Sequence, residues 1–200
     1  IDPLPLDVTQ PHTSEVVAVK KFDLVIVALT ARGEEGYQKV YVTGMQHILA
    51  GLQGAPLVLF ASSTSVLSPR GAHSNRHCDN LVADENSPTE PAGYAGRSIL
   101  AAEQRLEQSK LPTCSIRLSG LYGGGRSNHL LKALERGQIC PAQPVKYSNR
   151  VHIDDAARLF VHLADLHFAG AQLERVYLAT DGKPAPCLLY TSPSPRDVSL

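Results

Sequence analysis

Hydroxyl side chains stand at the ends of three apolar runs in this 200-residue chain. Thr30 follows "FDLVIVAL", Ser62 and Ser63 end "APLVLFASS", and Ser119 follows "TCSIRL". A hydroxyl in such a place can donate a hydrogen bond to a substrate carbonyl, or it can satisfy nearby backbone groups. Ser63 is not expected to be a covalent nucleophile, because no Gly-x-Ser-x-Gly elbow surrounds it. The pattern therefore predicts that these hydroxyls bind a ligand and polarise a carbonyl group of the substrate.

Tyr94 and Arg97, in the stretch "PAGYAGRSILAAE", add two further chemical groups. Tyr94 could exchange a proton with a substrate oxygen. Arg97 could place a cation near a ribose or a phosphate, or simply pair with a carboxylate on the surface. Pro91 and Gly93 favour a loop through residues 92–95, from which Tyr94 could turn toward the hydroxyls. If a helix has already begun there, each residue is rotated by about 100° from the next, and Tyr94 points elsewhere.

Metal ligands are present in two places, and neither predicts a metal site. One is the loop sequence with His73, His77 and Cys78. A zinc site there would need a helix to carry these residues or a fourth ligand, and Asp79 is the only near partner. The other is "HIDD" at residues 152–155, where Asp154 or Asp155 is more simply explained as the N-cap of a helix.

Charge and composition exclude several classes of protein. The 19 basic and 19 acidic residues cancel without forming a basic run, so a nucleic-acid partner is not expected. No apolar stretch is long enough to cross a membrane, and the first residues, "IDPLPLDVTQ", do not read as a signal peptide. The four cysteines are scattered without a Cys-x-x-Cys pair, which indicates reduced thiols. The expectation is a cytoplasmic protein with a small-molecule substrate, no nucleic acid and no membrane.

Strand and helix patterns alternate along the chain. Strands are predicted at 22–31, 55–65, 113–123 and 175–180, and helices at 36–53, 97–109, 127–137 and 152–166. In the helix 97–109 the residues Ile99, Leu100, Ala102 and Leu106 form one face, with Glu103 outside it. This alternation predicts an α/β fold: a Rossmann-like, doubly wound, mainly parallel sheet with helices on both faces, binding its ligand at the carboxyl ends of the strands. We expect one domain over residues 1–186, a long loop at 68–91, and a non-native or disordered tail at 187–200.

The order of these motifs resembles the extended short-chain dehydrogenase/reductase family, which includes NAD-dependent epimerases and dehydratases. The resemblance covers residues 4–186 and rests on "LPLDVT", "VIVALTA", "LFASSTSVLSP", "IRLSGLYGGGR" and "NRVHIDDAARLFVHLAD". It implies a catalytic Ser at Ser63, with Tyr94 as a second catalytic candidate, and NAD or NADP as the cofactor. The implied cofactor-binding residues are Asp7, Val8, Ala28, Leu29, Thr30, Ser62, Arg97, Leu118, Ser119 and Leu121. Asp7 would contact the adenine, although a simple turn Asp is the alternative.

The chain also departs from the family pattern. The glycine-rich turn that follows the first strand is not found, which indicates a chain truncated at its N-terminus, with the first strands missing. Alignment on "LAAE" places the family's catalytic Tyr and Lys on Ala95 and Ile99, so the chain resembles an atypical subgroup without that pair.

Three functional hypotheses follow from this resemblance. The first is an oxidoreductase or epimerase-like protein acting on an unidentified small substrate, with sugar nucleotides as one class, and with a homodimer as one assembly. The second is a non-catalytic dinucleotide sensor or scaffold. The third is a fragment that binds nothing and is poorly soluble, because a parallel sheet that lacks a strand exposes its edge.

Overall fold

In the computed structural model, which describes residues 3–67, 83–124 and 147–186, short strands alternate with helices. The strands are β1 (Leu24–Val27), β2 (Leu57–Ser63), β3 (Thr113–Leu118), β4 (Gly120–Tyr122), β5 (Tyr147–Ser148), β6 (Arg150–His152), β7 (Val176–Ala179) and β8 (Ala185–Pro186). The α-helices are α1 (Thr13–Ala18), α2 (Gly33–Tyr37), α3 (Met45–Gly51), α4 (Tyr94–Gln108) and α5 (Ile153–Phe168). The described residues form two compact units: residues 3–67, 83–117 and 160–178 in the first, and residues 118–124, 147–159 and 179–186 in the second.

The main sheet has the strand order β1-β2-β3-β7. β1 and β2 run parallel, in a register that pairs Leu24 with Leu57 and Val27 with Phe60. Leu57, Val58, Leu59 and Phe60 of β2 are buried because helices cover this sheet, as the continuous hydrophobic run predicts. The expected α/β fold with a mainly parallel sheet is therefore confirmed.

A continuous helical stretch connects β1 to β2. It consists of α2, a π-helical segment over Gln38–Gly44, and α3. Tyr41, Met45 and Ile48 bury their side chains in the core. Gly44 packs so closely that an added Cβ would lie 2.9 Å from Cγ2 of Val8. The close helix packing therefore explains why glycine is placed inside this helix despite its cost of about 1 kcal/mol relative to alanine.

Helix α4 begins at Tyr94, with the extended Gly93 as its N-cap. The loop expected over 92–95 therefore ends two residues earlier than predicted. Ile99, Ala102 and Leu106 are buried, as their spacing indicates. Gly96 allows the first turn of α4 to lie against the backbone of Ser65, since a Cβ there would lie 2.2 Å from the Ser65 carbonyl oxygen.

The segment "LPLDVT" (residues 4–9), one of the five motifs behind the resemblance, contains no strand residue. Asp7 instead begins a turn that leads into α1. Its Oδ1 accepts hydrogen bonds from the backbone N–H and the hydroxyl of Thr9, at 3.0 and 2.8 Å. These bonds fix the chain ahead of α1 without any sheet partner.

In the second unit, β4 pairs parallel with β6, and β5 pairs antiparallel with β8. Helix α5 starts after His152, whose Nδ1 lies 3.2 Å from the backbone nitrogen of Asp154. His152 therefore occupies the N-cap position that was expected for Asp154 or Asp155. Asp155 pairs with Arg158 within the helix at 2.9 Å.

Several predictions fall outside the described residues: the helix at 127–137, the sequence His73–Asp79 and the tail at 187–200. Within the three described ranges, no cluster of three metal-binding side chains occurs. None of the helices in those ranges is long and apolar enough to span a membrane. The assignment of residues 1–186 to one functional domain remains a prediction.

Candidate functional site

The carboxyl ends of β1 and β2 lie at the same edge of the main sheet. Thr30 stands three residues beyond Val27 and Ser63 three residues beyond Phe60, and Val27 and Phe60 are register partners. Thr30 is exposed and Ser63 is half-buried. The register thus places these two predicted site residues at the carboxyl ends of neighbouring strands, where parallel sheets bind their ligands.

Ser63 has a geometry suited to donating a hydrogen bond. It is the N-cap of the 3₁₀ turn Thr64–Val66, and its Oγ accepts a hydrogen bond from the N–H of Ser65 at 3.1 Å. An accepting hydroxyl keeps its own proton free for another acceptor. The backbone role and the ligand role considered for Ser63 are therefore compatible.

Ser62 faces into the protein instead. It is buried, and its Oγ donates a 2.5 Å hydrogen bond to Oε1 of Glu103 on α4. The structure therefore uses the Ser62 hydroxyl internally, at the position where the resemblance implied a cofactor contact.

Glu103 and Arg117 form a buried ion pair next to Ser62. Nε and Nη2 of Arg117 donate to the two carboxylate oxygens of Glu103 at 3.1 and 2.9 Å. Both side chains are less than one-tenth exposed, so the expectation that Glu103 lies outside the buried face of α4 is wrong. A two-pronged arginine–carboxylate contact also fixes orientation, because the planar guanidinium matches both oxygens.

Tyr94 packs in an aromatic cluster rather than lying loose. Its ring meets Tyr37 edge to face at 5.5 Å, and Tyr37 stacks on Tyr41 at 5.3 Å. The Tyr41 hydroxyl donates to the carbonyl of Leu29 at 2.8 Å. Burial raises the pKa of Tyr41, and electrostatic repulsion from the neighbouring Tyr37 raises it further. Tyr94 itself is 39% exposed, so the cluster does not bury it completely.

Arg97 is engaged near the start of α4. Its Nη1 donates to the carbonyl of Ala92 at 2.8 Å, and its Nη2 lies 3.7 Å from a carboxylate oxygen of Glu34. This is the surface pairing that was considered as an alternative to binding a ribose or a phosphate. The side chain is more than half exposed and remains within reach of solvent.

The remaining first-unit candidates are Asp7, Val8, Ala28 and Leu29. The Thr9 hydroxyl, the Thr9 backbone N–H and the Gln10 amide hold the pKa of Asp7 below its usual range. The carbonyl of Val8 lies 3.1 Å from Nδ1 of His47. Ala28 is exposed at the end of β1, and Leu29 is half-buried. Asp7 is therefore built into a local turn, as its alternative interpretation proposed.

Leu118, Ser119 and Leu121 belong to the second unit. The N–H of Ser119 donates to the carbonyl of Ala179 at 3.0 Å, while its buried Oγ has no hydrogen-bond partner among the described residues. Leu118 is half-buried, and half-buried Leu121 pairs with Val151 across the small sheet. The contacts named here lie within the second unit. The cofactor-binding role that the resemblance implies for these three residues remains a prediction.

A cavity of about 180 Å³ lies beside the buried ion pair and is lined by Glu103, Arg117, Ser115 and Thr89 among others. Neither Thr30, Ser63 nor Tyr94 lines it. Its charged groups are already paired with each other, so we place the candidate site at the strand ends and not in this cavity.

No protein-family model matches this chain. The chain is 25% identical over 169 residues to short-chain dehydrogenase/reductase family 42E member 1 of Mus musculus, covering 74% of this chain but 42% of that protein. A protein assigned as an NAD-dependent epimerase/dehydratase from Methylobacillus flagellatus has a similar structure, with a TM-score of 0.72 and 28% identity over 95% of this chain and 67% of its own. UDP-glucose 4-epimerase from Brucella ovis, solved in complex with NAD, gives a TM-score of 0.70 and 16% identity, covering 92% of this chain and 65% of its own. The resemblance seen in the sequence is thus confirmed, and the chain has the Rossmann-like fold of the NAD-dependent epimerases and dehydratases.

Proposed function

We propose that this chain is the dinucleotide-binding part of an oxidoreductase or epimerase-like protein of the atypical extended short-chain dehydrogenase/reductase group. The observation that supports it best is that Thr30 and Ser63 lie at the carboxyl ends of two neighbouring strands, as the parallel register of β1 and β2 sets. The structural similarity to an NAD complex adds support for NAD or NADP as the cofactor. The substrate is a small molecule, and sugar nucleotides are the class to test first.

In this proposal Ser63 donates a hydrogen bond to a carbonyl or hydroxyl oxygen of the substrate. The N–H of Ser65 orients the Ser63 oxygen and leaves its proton available. Tyr94 is the candidate proton donor, because its ring is held by Tyr37 while part of it stays exposed. The bound dinucleotide would supply hydride transfer.

Titration of the chain with NADH and NADPH, followed by nucleotide fluorescence, tests this proposal. We expect saturable binding of at least one of them. Ser63→Ala should keep that binding within about twofold and lower turnover by at least about tenfold, since one oriented hydrogen-bond donor contributes on that scale. Ser109→Ala, at the end of α4, is the matched control and should change neither quantity. Failure of both dinucleotides to bind, also in a version of the chain extended at its N-terminus by the glycine-rich turn, would refute the proposal.

The second candidate is a non-catalytic dinucleotide sensor or scaffold. It is favoured by Ala95 and Ile99 at the positions of the family's Tyr and Lys, and by the packing of Tyr94 against Tyr37. It predicts dinucleotide binding without hydride transfer to or from a panel of carbonyl and hydroxyl substrates, sugar nucleotides included. Turnover that is lost in Tyr94→Phe or in Ser63→Ala would exclude the sensor.

A further inference from the structure

Residues 84–87 form a closed turn in the segment that leads to α4. Oδ1 of Asp84 accepts hydrogen bonds from the N–H of Asn86 and from the hydroxyl of Ser87, both at 3.0 Å. The Ser87 oxygen in turn accepts from the N–H of Asp84 at 2.9 Å. This mutual pattern of side-chain and backbone bonds makes the turn stiff, and it places Glu85 inside the turn.

Glu85 contacts the edge of the main sheet with its carboxylate. Its Oε1 accepts a hydrogen bond from the N–H of Leu178 in β7 at 2.9 Å. The carbonyl of Arg175 accepts from Ser115 of β3, and alternate residues of a strand face opposite sides, so the N–H of Leu178 faces away from β3. β7 is the last strand in the order of the described sheet. Glu85 therefore supplies the acceptor that a further strand would otherwise provide.

The backbone of Glu85 is held by the buried ion pair. Nη1 of Arg117 donates to the Glu85 carbonyl at 3.3 Å. Because Glu103 fixes the other two nitrogens of this guanidinium, Nη1 has a set direction. Glu103 also accepts from Ser62, the residue before Ser63. A continuous series of hydrogen bonds thus joins the end of β2 to the turn at Glu85.

We propose that Glu85 is a positioning residue for the candidate site. It holds residues 83–93 on the sheet, and these residues deliver the first turn of α4 with Tyr94 and Arg97. This inference rests on the proposed function for its effect on the ligand, but the anchoring itself does not depend on any ligand.

Amide hydrogen exchange on the chain tests the anchoring directly. Glu85→Ala should speed exchange at least tenfold in residues 83–96, while Glu85→Gln should stay near the wild type because its side-chain oxygen can still accept from Leu178. Glu35→Ala is the control for losing an exposed carboxylate, since Glu35 pairs with Lys39 one turn along its own helical stretch. Wild-type exchange in Glu85→Ala, or equally fast exchange in both Glu85 variants, would overturn the proposal.

The same variants are then titrated with NADH and NADPH. We expect Glu85→Ala to weaken binding at least fivefold and Glu85→Gln to restore it, with the melting temperature of both close to the wild type. Faster exchange with unchanged affinity would overturn the positioning role. A wild-type chain that binds neither dinucleotide, also when extended by the glycine-rich turn, would refute the proposed function instead, and the exchange comparison would then decide the anchoring alone.

Discussion

At the residue scale, the buried thiol of Cys114 should be chemically inert in the folded chain. Its side chain is fully buried in β3, and burial raises its pKa from 9.0 to about 12. At pH 8 the thiolate fraction is then on the order of one in ten thousand, and the thiolate is the reactive form. We expect iodoacetamide to modify the Cys114 peptide at least about 100-fold more slowly in the native chain than in urea, as followed by mass spectrometry.

The same pKa shift sets the direction of one pH effect. The folded-state pKa of Cys114 lies above the unfolded value, so its contribution to stability is complete below pH 9 and is lost as the pH rises toward 12. Equal alkylation rates in folded and unfolded chain would contradict the burial of this thiol.

Single residues also show where sequence patterns stop being informative. Ser63 could be placed from the sequence, because a buried strand ends where its apolar run ends. The direction of the Tyr94 ring could not, since it depends on Tyr37, which comes from a different helix. The two roles considered for Arg97 follow from its guanidinium alone, but only its distance to Glu34 shows which carboxylate lies near it.

At the element scale, helix α4 illustrates the same division. Its buried apolar face follows from the helical spacing, whereas its start at Tyr94, after the extended Gly93, and the close approach of Gly96 to the Ser65 backbone do not. The burial of Glu103 was missed because periodicity treats a charged side chain as exposed. Its partner, Arg117, lies on a separate strand, and no local pattern reports such a pairing.

The close approach at Gly96 leads to a prediction about two glycines in helices. A Cβ at Gly96 would lie 2.2 Å from the Ser65 carbonyl oxygen, so Gly96→Ala must displace backbone. Overpacking of this kind costs about 1–3 kcal/mol. Alanine recovers about 1 kcal/mol through helix propensity, so the free energy of unfolding should fall by up to about 2 kcal/mol in urea titrations.

Gly36→Ala is the matched control for Gly96→Ala. Gly36 also lies in a helix, but a Cβ there would meet nothing within 4 Å. The substitution should therefore stabilise the chain by about 0.5–1 kcal/mol. If Gly96→Ala were also stabilising, α4 would not pack against the Ser65 turn as described.

At the scale of the whole molecule, the strand order leaves β1 at one end of the described sheet. Ile26 in this strand is 48% exposed. An exposed apolar residue on an edge strand favours edge-to-edge association between chains, because the backbone groups on the outer side of that strand can pair with a second copy. The weight-average molar mass of the chain, measured by light scattering, should therefore rise with its concentration.

Ile26→Lys should reduce this association, since a charge on an edge strand opposes pairing. The control is Val161→Lys, which adds the same charge at a residue that is 59% exposed and lies in helix α5 and not in a strand. We expect Ile26→Lys to lower light scattering at least about threefold at equal concentration, and Val161→Lys to lower it by much less. An equal reduction in both variants would attribute the effect to net charge and contradict association through the β1 edge. A cooperative thermal unfolding transition in Ile26→Lys would further show that the 200-residue chain has a cooperatively folded structure once this edge is protected.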